Sequence, residues 1–123
     1  MSEPPAVVVR KSKSELTVMT RTGQRTYPVS IGMNPDRADK QAEGDCRTPE
    51  GDFTIVSVED SSDWEDEGER AYGPLFLRLD CPPWEGIGIH GTNRPDLLGR
   101  CASKGCVRMR NEDLLELARV VRV

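Results

Sequence analysis

Ile87-Gly88-Ile89-His90-Gly91-Thr92-Asn93 and, after a loop, Ala102-Ser103-Lys104-Gly105-Cys106-Val107-Arg108-Met109-Arg110 form the stretch on which the reading of this chain turns. Gly86 to Gly91 reads as a strand whose glycines permit close backbone approach. His90, at its end, is the only histidine in the sequence. A lone histidine closing a glycine-flanked strand, with a Gly-Cys pair downstream, is an arrangement used in nucleophilic catalysis. An imidazole can take the thiol proton to make a strong nucleophile, and can later return it to a leaving amine. Gly105 has no β-carbon to hold substrate or backbone away from Cys106. The backbone N–H groups of Gly105 and Cys106 can then donate to an oxyanion. The imidazole tautomer needs an acceptor; no acid adjoins His90, so a backbone carbonyl near Gly91 is the candidate. A plainer reading fits the same residues: Cys106 as a small buried hydrophobe and His90 as a hydrogen-bonded strand end.

Outward from this stretch the pattern is mainly β. Ala6 to Arg10 is apolar and β-branched, Glu15 to Thr20 alternates, and Arg25 to Gly32 reads as a returning strand with Val29 and Ile31 on one face. Thr22-Gly23-Gln24 is the turn between the last two, and Pro28 suggests an edge or a bulge. Met33 to Arg47 is polar and turn-rich, a long loop. Phe53 to Val58 is another strand, and Pro74 to Asp80 another, with Leu75, Leu77 and Leu79 pointing one way. Seven of the eleven residues from Glu59 to Glu69 are acidic, which reads as a solvated loop or as a receiver for a cationic amino group. The long helix comes late. Asn111 is its N-cap, Glu112 and Asp113 favour the dipole, and Leu114, Leu117, Ala118 and Val121 form a stripe.

With 123 residues the chain has room for one core,. Hydrophobic content of 36% and charged content of 31% fit a globular domain with a solvated surface,. The net charge is −4 and the basic residues are scattered, which argues against nucleic acid and anionic membranes as main partners,. No apolar run approaches membrane-spanning length. Of the four cysteines, Cys46, Cys81, Cys101 and Cys106, none stand in a C-x-x-C pair. With one thiol as nucleophile, a Cys46–Cys101 or Cys81–Cys101 disulfide is open, and spacing cannot rank them. A zinc site of His90, Cys101, Cys106 and Cys46 has suitable ligand types but matches no common spacing. Trp64 and Trp84 lie in loops flanking the site, packing on the core or touching substrate.

Ile89-His90-Gly91-Thr92-Asn93 followed by Ser103-Lys104-Gly105-Cys106-Val107-Arg108-Met109 resembles the signature of the YkuD-type L,D-transpeptidase catalytic domain. Thr48-Pro49-Glu50-Gly51-Asp52-Phe53 is similar to that family's Thr-Pro-x-Gly-x-Phe segment, and Val29-Ser30-Ile31-Gly32 before the loop also fits. The resemblance runs from about Ala6 to Val121. It implies residues 1–5 as a tail and 6–123 as one catalytic domain, a mixed β-sandwich or barrel-like fold with one late helix. Cys106 would be the nucleophile, His90 the base, and Gly91 the backbone that orients it. Ser103, Lys104, Gly105 and Arg108 would line the substrate and oxyanion site, with a structural ion pair as the other role for Arg108. The implied reaction is on peptidoglycan stem peptides: Cys106 attacks the third residue, commonly diaminopimelate, D-alanine leaves, and an amine resolves the thioester. That amine is a neighbouring stem or a lipoprotein. No metal or organic cofactor is implied, and the expected state is a monomer.

Two departures stand out. The family commonly has His between the Ser and Gly that correspond to Ser103 and Gly105, and here Lys104 stands there. Lysine has no acceptor, although its charge can lower a neighbouring thiol pKa. Family domains also often continue into a Gly-Thr-containing final strand, and the sequence ends at Val123. Residues 1–5 show no basic-then-apolar leader; the family works in the cell envelope or periplasm, so a removed signal is the expectation. The alternatives are an L,D-carboxypeptidase or amidase using the same thiol, and a cell-wall binding module without turnover.

Overall fold

The computed structural model describes residues 6–20, 23–33, 39–42, 44–51, 53–65, 68–94, 96, 98–99, 101–103 and 105–121. Thr22, Asp52, Asp66, Glu67 and Lys104 lie outside the described residues, as do the side chains of Cys101 and Ala102. Short β-branched and alternating segments give the strands β1 (Ala6–Arg10), β2 (Glu15–Thr20) and β3 (Gly23–Gly32), paired antiparallel in sequence. A single 3-10 turn, Lys11–Lys13, joins the first two. Then follow β4 (Thr54–Asp60), β5 (Leu75–Asp80), β6 (Gly88–His90), β7 (Cys101–Ser103), β8 (Val107–Met109) and the helix α1 (Asn111–Ala118). The sheet order is β1-β2-β3-β8-β6-β5-β4, with β7 pairing parallel to β3 off this path. β6 and β8 are also parallel neighbours, so the fold is a mixed, mostly β sheet with one helix, as the sequence pattern indicates.

The alternation in each strand sorts residues onto two faces. Leu16, Val18, Tyr27, Val29, Ile31, Leu77, Ile89, Val107 and Met109 turn to a common core, which Leu114 and Leu117 of α1 close. Ala118 and Val121 pack against it, so the stripe read from sequence is the buried face of the helix. The opposite face of the central strands carries Phe76, Arg78, His90 and Arg108, and there the chemistry lies.

Several expectations need correction. Pro28 is on no edge: β3 lies between β2 and β8. It stands where β3 passes from β2 to β8, which takes up the strand only at Val29 and Ser30, so the missing N–H interrupts no β8 ladder bond,. β4 extends to Asp60, so the acidic run begins inside a strand and not in a loop. Asn111 is the first helical residue and makes no capping bond with its side chain, which is engaged elsewhere. The segment from Met33 to Arg47 is organised where it is described: the Asp45 carboxylate accepts the backbone N–H groups of Gln41, Ala42 and Arg47 and the Lys40 ammonium. Burial pushes the Asp45 carboxyl up, yet these donors together hold it well below the usual range. Lys40 in turn sits 5.2 Å from the Trp84 ring, giving that tryptophan a packing role.

One irregularity rephases a strand. In β4 against β5, Ile55 faces Leu79 but Ser57 faces Arg78, so Val56 is an extra residue in the ladder. Without it Ile55, Ser57 and Glu59 would share a face. With it, Ile55 packs toward the core while Ser57 and Glu59 join Arg78 and Phe76 on the other side,.

Candidate active site

His90 ends β6 at 2% exposure. Its ring stacks on Phe76, with centroids 5.7 Å apart and planes at 13°, and lies 4.9 Å from Tyr72. Trp64 packs on both of those rings, so its place is in this aromatic cluster. His90 Nδ1 is 2.6 Å from the Gly91 carbonyl oxygen, a contact in which Nδ1–H donates and which, in the neutral ring, leaves the lone pair on Nε2,. Gly91 is itself fixed, because its N–H donates to the Tyr72 carbonyl at 2.9 Å. A β-carbon on Gly91 would stand 2.1 Å from Asn111 Oδ1, and one on Gly73 2.5 Å from the same atom. That oxygen accepts the Thr92 N–H at 2.9 Å. The first residue of α1 thus ties the helix to the chain just after His90.

Cys106 precedes β8. In the parallel ladder Ile89 faces Val107 and His90 faces Arg108. Alternation puts Cys106 on the same face as Arg108, Gly88 and His90. The thiol donates to the Gly86 carbonyl at 3.4 Å. Burial pushes the Cys106 thiol pKa up; the Gly88 backbone N–H and the charges of Arg108 and Arg78 pull against it, and nearby Cys81 adds to the rise. The net direction is upward, so the resting thiol is protonated at neutral pH and needs a base to become a nucleophile.

The turn that presents Cys106 is stapled by Ser103. Its hydroxyl donates to the Cys106 carbonyl and accepts the Gly105 N–H at 3.1 Å. Ser103 is buried, and its own carbonyl accepts from Met33 N–H. The Gly105 N–H is therefore engaged within the turn, which corrects the expectation that it faces an oxyanion. Gly105 has a φ of 134°, and a β-carbon there would meet the Arg47 carbonyl at 3.1 Å, so glycine is required by the backbone and by this neighbour,. The Arg47 segment is anchored by the Thr-Pro-Glu-Gly motif. Thr48 Oγ1 accepts the Gly32 N–H at 2.9 Å, and Lys11 Nζ bridges the Thr48 carbonyl and Glu50. The motif shapes the wall of the cysteine turn.

Arg108 adjoins Ser30 and His90 in register, and its charge acts on Cys106. Cys46 and Cys81 are free thiols, so neither disulfide considered from sequence forms. Among the described residues no group of three or more His, Cys, Asp or Glu is placed to hold a metal ion. A cleft lined by Val7, Val9, Ile55, Leu79, Ile89 and Val107 runs past the Thr48–Gly51 segment, and Cys106 does not line it.

Sequence reasoning passed over Asn111 as an anchor, and Tyr72, Phe76, Arg78 and Glu59 as neighbours of the site. One signal was available. In Leu75-Phe76-Leu77-Arg78-Leu79, the leucines claim one face, which leaves Phe76 and Arg78 together on the other. The Asn111 contact spans nineteen residues and has no local pattern to reveal it.

The model of the YkuD L,D-transpeptidase catalytic domain family matches residues 4–123. The YkuD protein of Bacillus licheniformis is 34% identical over 97 residues, covering 79% of this chain and 47% of that protein. The YqjB protein of Bacillus subtilis is 30% identical over 128 residues, covering 97% of this chain and 67% of that protein. Among solved structures, L,D-transpeptidase 3 from Mycobacterium tuberculosis, in complex with a faropenem-derived adduct, superposes with a TM-score of 0.72 at 21% identity. That match covers 97% of this chain and 57% of that one. The chain thus spans about half the length of the YkuD protein and of this structure.

Proposed function

This chain belongs to the YkuD family of L,D-transpeptidase catalytic domains, and we propose that it is a cysteine-dependent acyltransferase acting on peptidoglycan stem peptides. The observation that carries the reading is the pairing of β6 with β8. It sets His90, its Nδ1 tied to the Gly91 carbonyl, on the same sheet face as Cys106 at the head of the neighbouring strand.

In the proposed reaction Cys106 turns its S–H from the Gly86 carbonyl toward His90, and Nε2 accepts the proton as sulfur attacks the carbonyl carbon of the third stem residue. The C–N bond to the terminal D-alanine breaks, and the imidazolium returns its proton to the leaving amine. An acceptor amine from a second stem or a lipoprotein then attacks the thioester. His90 takes a proton from that amine, the new amide forms, and the thiol is restored. The Cys106 N–H and backbone donors beside it stabilise the oxyanion in both steps. The Arg108 charge supports the developing thiolate. Such chemistry belongs in the cell envelope. Among the described residues no helix is long and apolar enough to cross a membrane.

Mass spectrometry after incubation with a diaminopimelate tetrapeptide muropeptide, beside a Cys106→Ala control, tests this. Loss of D-alanine and a cross-linked dimer, both absent from the control, support transpeptidation. Tripeptide without dimer makes water the acceptor and the protein an L,D-carboxypeptidase. A folded protein that gives neither thioester nor product is a binding module, and the catalytic reading falls. Faropenem offers a second probe, since its opening by Cys106 would leave a covalent mass on that residue alone.

A further inference from the structure

The Val56 bulge brings Glu59 to the sheet face that carries the thiol, and there it meets Arg78. Arg78 Nε donates to Glu59 Oε2 at 2.6 Å and Nη2 donates to Oε1 at 3.1 Å. The Ser57 hydroxyl donates to the same Oε2 at 2.7 Å. The guanidinium carbon lies 4.9 Å from the centre of the Phe76 ring, which stacks on His90. Arg78 is thus fixed in position on the aromatic support of the catalytic imidazole. Its register partner on β6 is Gly88, whose backbone also serves Cys106. Gly88 lies between Arg78 and Cys106 across the strands, and the Phe76 ring fills the space a β-carbon there would take, its nearest atom 2.5 Å from that position.

A guanidinium has five N–H donors in a planar fork. Glu59 occupies the Nε/Nη2 edge, and among the described residues no acceptor lies on the Nη1/Nη2 edge. The side chains of Arg78 and Glu59 are 36% and 31% exposed, so a ligand in solution can reach the pair. The Arg78 charge draws the Cys106 thiol down only weakly, less than that of Arg108, and its pairing with Glu59 makes it a good directional donor. A planar, pre-oriented fork with one free edge matches a carboxylate.

We infer that the free edge of Arg78, held by Glu59, binds a carboxylate of the acyl donor and so selects stem peptides that carry one beside the scissile amide. The inference rests on the proposed function and names the group that the same site recognises. Two carboxylates of a diaminopimelate tetrapeptide have this chemistry: that of the leaving terminal residue and that on the side chain of the third residue.

The test uses three synthetic donors: the tetrapeptide, its C-terminal carboxamide, and its third-residue side-chain carboxamide. Release of the terminal residue is followed with the unaltered protein, Arg78→Gln and Arg78→Lys, each checked for fold by circular dichroism. One amidation is expected to lower kcat/KM about 10- to 100-fold in the unaltered protein, chiefly through KM, the scale of one charge-assisted bidentate contact. In Arg78→Gln the same amidation should cost under about threefold, with Arg78→Lys between the two because lysine keeps charge without the fork. The sensitive amide identifies which carboxylate is bound. Equal penalties in the unaltered protein and Arg78→Gln, or no penalty from either amide, would overturn the inference. So would a loss confined to kcat with a shifted pH profile, which would make Arg78 a modifier of the thiol. Calorimetric binding of the same peptides to Cys106→Ala, with and without Arg78→Gln, separates the two readings. Carboxylate-dependent binding without turnover in the unaltered protein sinks the catalytic proposal alone, and absence of any binding sinks both.

Discussion

Replacing Gly91 by alanine should be costly because of one oxygen atom, and removing that oxygen should relieve much of the cost. The added β-carbon would sit 2.1 Å from Asn111 Oδ1, and 3.0 Å from both Gly73 Cα and Pro74 Cδ. The first contact forces the amide away, and with it goes the acceptor of the Thr92 N–H, whose residue is 4% exposed. Overpacking of this kind costs about 1–3 kcal/mol. A buried donor left unsatisfied costs about 1–3 kcal/mol more. Asn111→Ala alone incurs only the second cost, and the double variant should add to it only what the two 3.0 Å contacts demand. The two substitutions are therefore expected to be non-additive in the relieving direction, by the about 1–3 kcal/mol of the donor loss they share plus the part of the overpacking that Asn111 causes. Urea unfolding of the four proteins at constant m-value measures this directly. If Gly91→Ala costs the same in both backgrounds within about 0.5 kcal/mol, Asn111 is not what excludes the β-carbon and the reasoning fails. Asn111→Asp keeps an acceptor at the same position and should retain more stability than Asn111→Ala.

Three further outcomes follow from the site. Because burial pushes the Cys106 pKa up, its alkylation by iodoacetamide, followed by peptide mapping, should still be accelerating above the ordinary thiol range of about 8.5, and Arg108→Gln should move the profile higher,. A plateau near neutrality would mean a standing thiolate–imidazolium pair and contradict the protonated resting thiol. Hydrogen bonds from Arg78 and Ser57 lower Glu59 from 4.5 to about 2, so its contribution is present above pH 4.5 and disappears as pH falls toward 2,. The melting temperature of Glu59→Gln should accordingly be flatter than that of the unaltered protein across that window, and parallel curves would count against the pair. Ser103→Ala unlatches both ends of the cysteine turn and should destabilise by about 1–3 kcal/mol. The rate of Cys106 alkylation by iodoacetamide, read by mass spectrometry, should change with it, and an unchanged rate would deny Ser103 its positioning role.

Much of the sheet was legible because each strand carries its own alternation. Leu16 with Val18, Val29 with Ile31, and Leu75 with Leu77 announce a buried face within a few residues, and Leu114 with Leu117 do so at helical spacing. What escaped was whatever depends on a distant partner. Val56 looks like any strand residue until β5 is laid beside it, so the phase change that carries Glu59 across the sheet has no local sign. Asn111 has the composition of a cap, but its amide meets Thr92 instead, a choice made by the packing of α1 against the segment after β6. Gly105 was read as making room for substrate; the Arg47 carbonyl and a φ of 134° are what demand it. His90 and Cys106 were legible as chemistry from their surroundings in sequence, while the aromatic bed under the imidazole was not, since Tyr72 and Phe76 arrive from a separate segment.

The parallel pairing of β6 with β8 has a consequence for how such a site is assembled along the chain. Parallel neighbours cannot be joined by a tight turn; the chain must leave the sheet and return, here from Gly91 round to Cys106 by way of β7,. His90 is positioned by main-chain ladder bonds and Cys106 by the Ser103 latch at the head of β8, while the excursion between them is held where Gly99 N–H meets the Val29 carbonyl and the Ser103 carbonyl meets Met33 N–H. The sheet thus fixes where His90 and Cys106 stand, and the length and path of the excursion are set apart from it.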